Sequence, residues 1–288
     1  MELFRALAAL AEAPGPEQAR LALLLKLPPP PAPEDHTELF DFMLYPRAAV
    51  YLGPEGMFGG EAADRIAGFW RAAGLEPPPE PDHLCLLLVA YAVLAEREEG
   101  EAGARRVLIG EARKALLWEH LVSWLPIYLA ALARIAGPHH RSWARLLDRA
   151  LIAEALASGP PDRLPLHLRE SPALPDPRAE GGEAFLAGLL APARTGFILT
   201  RADLARGAAA HGLGLRQAER RFALRAMLGQ DAKATLRWLR DEAEAWARRH
   251  GSLPAALEPV RGHWAARAEA TRCLLAELAK QPEVLLAG

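Results

Sequence analysis

The twelve residues 84–95 contain neither a charge nor a proline, and they constrain the fold more than any other stretch. Such a run is apolar on nearly every side of a helix, so neighbouring elements must cover it all round. It is too short to cross a bilayer, which takes roughly 20 residues. Elsewhere apolar residues recur three and four apart, at 2–12, 17–26, 61–73, 111–136 and 142–157. The same spacing returns at 183–190, 201–210, 215–228, 231–249 and 254–280. No segment alternates with period two for long enough to make a sheet. The expected fold class is all-α, with a kink near Pro126 in the helix 111–136.

Proline sets the boundaries. Residues 28–33 are five prolines and one alanine, which reads as a stiff non-helical connector, and 76–80 repeats the device. Pro81 then suits the first position of the helix that carries the apolar run, with Glu80 and Asp82 at its positive end. Residues 158–178 hold six prolines and little periodicity. The expected organisation is therefore a helical core over 1–178, hinged near 76–83, with a helical region 179–288 packed on it.

Composition excludes several classes. A hydrophobic fraction of 51% against 24% charged residues is globular rather than disordered. A formal net charge of -2 gives no bulk attraction to nucleic acid or lipid. Cys85 and Cys273 belong to no CxxC pair and are expected as buried, reduced thiols. The start, 1–13, superficially resembles an export leader, but Glu2 and Arg5 interrupt it. The expected location is the cytoplasm, without membrane insertion.

No GxSxG, HExxH or Walker pattern occurs, and the loop with Gly53, Gly56, Gly59 and Gly60 follows no strand. The chain is not expected to be an enzyme, nor to hold a metal or other cofactor. Residues 200–225 carry six arginines and read helix, glycine turn, helix. Yet Gly207, His211 and Arg221 fall where a helix-turn-helix motif buries apolar residues. A helical DNA-binding regulator is kept as the alternative of another class, although nucleic acid is not the expected partner.

Three short pieces then stand out in order. The glycine loop carries Tyr51, Met57 and Phe58, read as exposed, together with Leu52, and leads into a helix ending in Phe69-Trp70. After the second connector come Glu80-Pro81-Asp82-His83. About 35 residues later His120-Leu121 and Trp124 share a helix. Each piece alone reads as a helix start or a core face. The ordered set, with Leu39-Phe40 upstream, resembles the TorD/DmsD family of molybdoenzyme maturation chaperones over 38–136.

That resemblance implies an all-helical, cytoplasmic chaperone that binds a molybdopterin-containing oxidoreductase by its N-terminal twin-arginine signal until the cofactor is loaded. The partner is then the molybdoenzyme catalytic subunit or its signal peptide. An assembly chaperone of a cytoplasmic nitrate-reductase-type subunit is the nearest alternative, and the proline connectors leave room for a homodimer. The implied binding residues are Tyr51, Leu52, Met57, Phe58, Trp70, Glu80, Pro81, Asp82, His83, His120 and Trp124. In physical terms a receptor for two guanidinium groups followed by an apolar helix needs carboxylates beside a greasy surface, which Glu80 and Asp82 are expected to supply.

Overall fold

The computed structural model describes residues 1–215 and 219–283, and among these every regular element is helical. The chain forms two compact units, one of residues 1–49 and 58–169, the other of 50–57 and 170–288. No single helix among the described residues is long and apolar enough to cross a membrane.

The first unit is built round the helix Leu84–Gly100. Its residues Leu84, Leu87, Leu88, Tyr91, Ala92 and Leu94 are almost wholly out of solvent. The helices Glu2–Ala9 and Gly103–Ala115 pack against it, as does the segment Leu116–Val122. Phe4 stacks on Tyr91 at 4.8 Å, and Arg5 pairs with Glu96. The Tyr91 hydroxyl donates to Glu154 at 2.6 Å, and Arg113 bridges Glu154 and Glu98. The helices Leu125–Ile135 and Pro138–Ser158 complete the unit, the Trp143 indole donating to the Leu7 carbonyl.

Several expectations needed correcting here. Pro33 does not continue the connector but opens the short helix Pro33–Thr37, because a first helical position needs no N–H. Likewise the helix expected from 111 already begins at Gly103. The expected break near Pro126 is present: a π-helical turn, Leu116–Val122, ends at Ser123 and Trp124, and the next helix leaves at 41° with Pro126 in its first turn. Pro81 is also not the first helical residue: the helix starts at Leu84 with His83 as its cap.

The second unit rests on the antiparallel pairing of the helices Ala232–Gly251 and Glu258–Leu278. Thr200 and Asp203 form the anticipated capping box at the start of the helix Arg201–Ala210. The helix expected over 215–228 runs over Arg220–Gln230, and residues 216–218 lie outside the described ones. Cys273 is exposed, contrary to expectation, and both thiols are free.

Gly196 shows how closely this unit is packed. It adopts a left-handed φ of 77°, and a Cβ there would lie 2.4 Å from the Ala268 backbone nitrogen. Gly196→Ala should therefore cost about 2 kcal/mol or more, through strain and overpacking together. Chemical denaturation measures this, and an unchanged midpoint would show that the two segments separate easily.

Candidate functional site

The site grows from a few backbone bonds inside the first unit. Pro81 and Asp82 form a turn closed by the His83 amide donating to the Glu80 carbonyl at 3.1 Å, and Arg47 and His83 meet as an isolated antiparallel bridge. The Leu84 amide donates to the Pro46 carbonyl at 2.9 Å, and the Ala48 amide to the Asp82 carbonyl at 3.0 Å. The Asp82 carboxylate is buried and accepts the Ala49 amide at 3.1 Å. It satisfies an otherwise orphaned donor at the start of the short helix Ala48–Leu52. From the other side, the Trp70 indole donates to the Pro81 carbonyl at 3.0 Å. The Glu80–Leu84 turn is thus pinned to both 46–49 and the helix Gly60–Ala72.

On the outer side of this turn sits a small mixed surface. Glu80 is exposed and takes the Arg47 guanidinium at 2.6 Å. Arg47 also lies over the Phe58 ring, 5.5 Å from its centroid. Phe58, 56% exposed, meets Tyr45 edge-on at 4.7 Å. Phe42 is exposed as well, and the charge of exposed Asp41 reaches His83. The surface therefore runs from aromatic rings to a cation and then a carboxylate.

The histidines nearby are held neutral. Burial pushes the His83 pKa below its usual range, with the Arg47 charge adding to the effect. Its Nδ1 accepts the Cys85 amide at 3.3 Å, which places the ring proton on Nε2. His120 is pushed down to about 3, first by burial and then by His167. Its ring packs on Phe69 at 4.9 Å, while its buried Nδ1 has no hydrogen-bond partner. The Trp124 indole donates to the His120 carbonyl at 2.8 Å, in a fully buried position.

The eleven implied residues thus separate. Glu80, Met57 and Phe58 face solvent, and Pro81 and His83 are half-buried. Asp82, Trp70, His120 and Trp124 are buried in the first unit and frame it. Tyr51, read as exposed, and Leu52 are buried in a helical turn that belongs to the second unit, as does Met57. In that unit the Pro54 carbonyl accepts from Arg194 at 2.6 Å. Of the two carboxylates expected at the surface, only Glu80 offers itself, because Asp82 is spent on the backbone.

Three residues of the surface had not been singled out from sequence: Asp41, Tyr45 and Arg47. Only the order Tyr45-Pro46-Arg47, an aromatic and a cation astride a proline, hints at them. Three surface arginines of the basic hairpin of 200–225 are paired with carboxylates. Arg221 and Arg225 pair with Glu183, and Arg206 pairs with Asp203 and Glu242. Arg216 lies outside the described residues.

The fold is all-helical among the described residues, and this surface combines exposed aromatic rings with an ion pair. Among the described residues no group of three or more histidines, cysteines or carboxylates could hold a metal ion. Residues 21–130 match the nitrate reductase delta subunit family, a molybdoenzyme assembly chaperone family that is not catalytic. The match overlaps most of the stretch whose motifs resemble the redox enzyme maturation chaperones. No curated protein and no solved structure matches the chain.

Two outcomes follow. Asp82→Ala leaves the Ala49 amide without its buried acceptor and should destabilise the fold by about 1–3 kcal/mol; an equal melting temperature would show that water replaces the carboxylate. The depressed histidine pKa values also set a pH dependence. Below about 6.5 the unfolded chain takes up protons that buried His120 refuses until about 3. Stability present at neutral pH is thus lost as pH falls through this window, by at most about 1.4 kcal/mol per pH unit for each such histidine. Denaturation at pH 7, 5.5 and 4.5 measures it, and His120→Leu should flatten the slope.

Proposed function

We propose that the chain is a cytoplasmic assembly chaperone for a molybdopterin-containing oxidoreductase, binding the N-terminal, twin-arginine segment of the catalytic subunit until cofactor insertion and folding are complete. The observation that carries the reading is the surface at the hinge, where exposed Phe58 and half-exposed Tyr45 adjoin the exposed carboxylate of Glu80. A leader of this kind presents guanidinium groups followed by an apolar helix, so it needs charge and aromatic surface side by side. Asp41, nearby and exposed, is the natural second carboxylate. Asp82, His83, Trp70, His120 and Trp124 hold the turn and its support, so their contribution to binding is positional.

Family membership over 21–130 supports the same reading, since the family assembles molybdoenzymes. The arginines of the hairpin, met by Glu183, Asp203 and Glu242, give no support to the DNA-binding alternative.

Fluorescence anisotropy with a labelled twin-arginine leader and the full chain tests the proposal. Glu80→Lys should weaken binding at least about tenfold, through loss of attraction and added repulsion. Phe58→Ser should weaken it by several-fold. Unchanged affinity in both variants would remove the hinge surface from the binding site.

A further inference from the structure

The Arg47 side chain occupies the place that an arriving arginine would need. Its guanidinium sits 2.6 Å from Glu80 and 5.5 Å from the Phe58 ring centre, while Tyr45 braces the far edge of that ring. A carboxylate combined with an aromatic face is what a planar, delocalised cation selects, and an ammonium matches it less well. Arg47 is also held from behind. Its main chain is part of the bridge with His83, so the side chain can leave Glu80 without the turn coming apart.

Resting on the function proposed above, we infer that Glu80 and Phe58 form a guanidinium subsite whose resident in the free protein is Arg47, and that a leader arginine binds by taking that place. The subsite is preorganised in the free protein, because Arg47 keeps Glu80 and Phe58 oriented for a guanidinium. The exchange is nearly balanced in charge: one cation leaves the carboxylate as another arrives. Selectivity follows from the competition. A lysine, with neither the planar fork nor the stacking face, displaces Arg47 poorly, and an arginine without the following apolar helix gains too little to hold the exchange. Arg47 therefore acts as a specificity-determining residue that raises the threshold for binding.

The test uses the full chain, a labelled Arg-Arg leader and the same leader with Lys-Lys. Exposed ion pairs and cation–π contacts of this kind set the scale of the competition, so Arg47→Ala should bind the Arg-Arg leader roughly threefold to tenfold more tightly than wild type. Arg47→Gln, which keeps an aliphatic stem over Phe58, should shift affinity in the same direction and covers the case in which the alanine variant folds poorly. Adding Glu80→Gln to either should cancel the gain. The Lys-Lys leader should gain less than the Arg-Arg leader. If Glu80→Gln weakens binding while both Arg47 variants bind no more tightly than wild type, the resident role of Arg47 is overturned and the chaperone reading stands. If neither wild type nor the Arg47 variants bind the leader, both are overturned. Binding by the Arg47 variants alone would support the inference in its strongest form.

Discussion

The first unit depends on one buried carboxylate meeting one short backbone bridge. Asp82 lies within a tight turn, accepting the Ala49 amide with its side chain and the Ala48 amide with its carbonyl. An unmet amide in that position would carry a desolvation penalty comparable to a large fraction of a domain's net stability. With it met, the residues before the glycine loop and the residues before the apolar helix are tied together although 33 positions separate Ala49 from Asp82. Every feature of the outer surface, from Tyr45 to Glu80, is displayed by that tie.

This division of labour explains why neighbouring residues of a four-residue motif play such different parts. Glu80 faces outward and holds a cation, Pro81 gives its carbonyl to Trp70, Asp82 turns inward, and His83 caps the helix. The chain reverses within these residues, so a single turn can bind outward and brace inward. The neutral histidines belong to the bracing half. Burial favours the uncharged imidazole, and the apolar packing of His120 on Phe69 is preserved at neutral pH for that reason.

The helical architecture and the framing role of the aromatic residues were legible in the chain itself. Period-3.6 patterning, the apolar run at 84–95 and the capping signature at Thr200 and Asp203 are local properties, and the helices they imply are present. Trp124 and His120, equally readable as a core face, are buried. The burial of Tyr51 was not legible, because a glycine-rich flank says nothing about what covers a short helical turn. The kink near Pro126 was legible, because a proline cannot continue the preceding helix and suits the first turn of the next.

By itself, then, the amino-acid order determined the class of structure, the positions of the connectors and the family resemblance, since each depends on neighbours within a few residues. Only the tertiary structure decided which carboxylate is presented and which is consumed. Glu80 and Asp82 are two residues apart and chemically almost alike. What separates them is an amide from 33 positions earlier that claims one of the two, and an arginine, Arg47, that claims the other. Contacts between segments so distant in sequence leave no periodic trace for a local pattern to reveal.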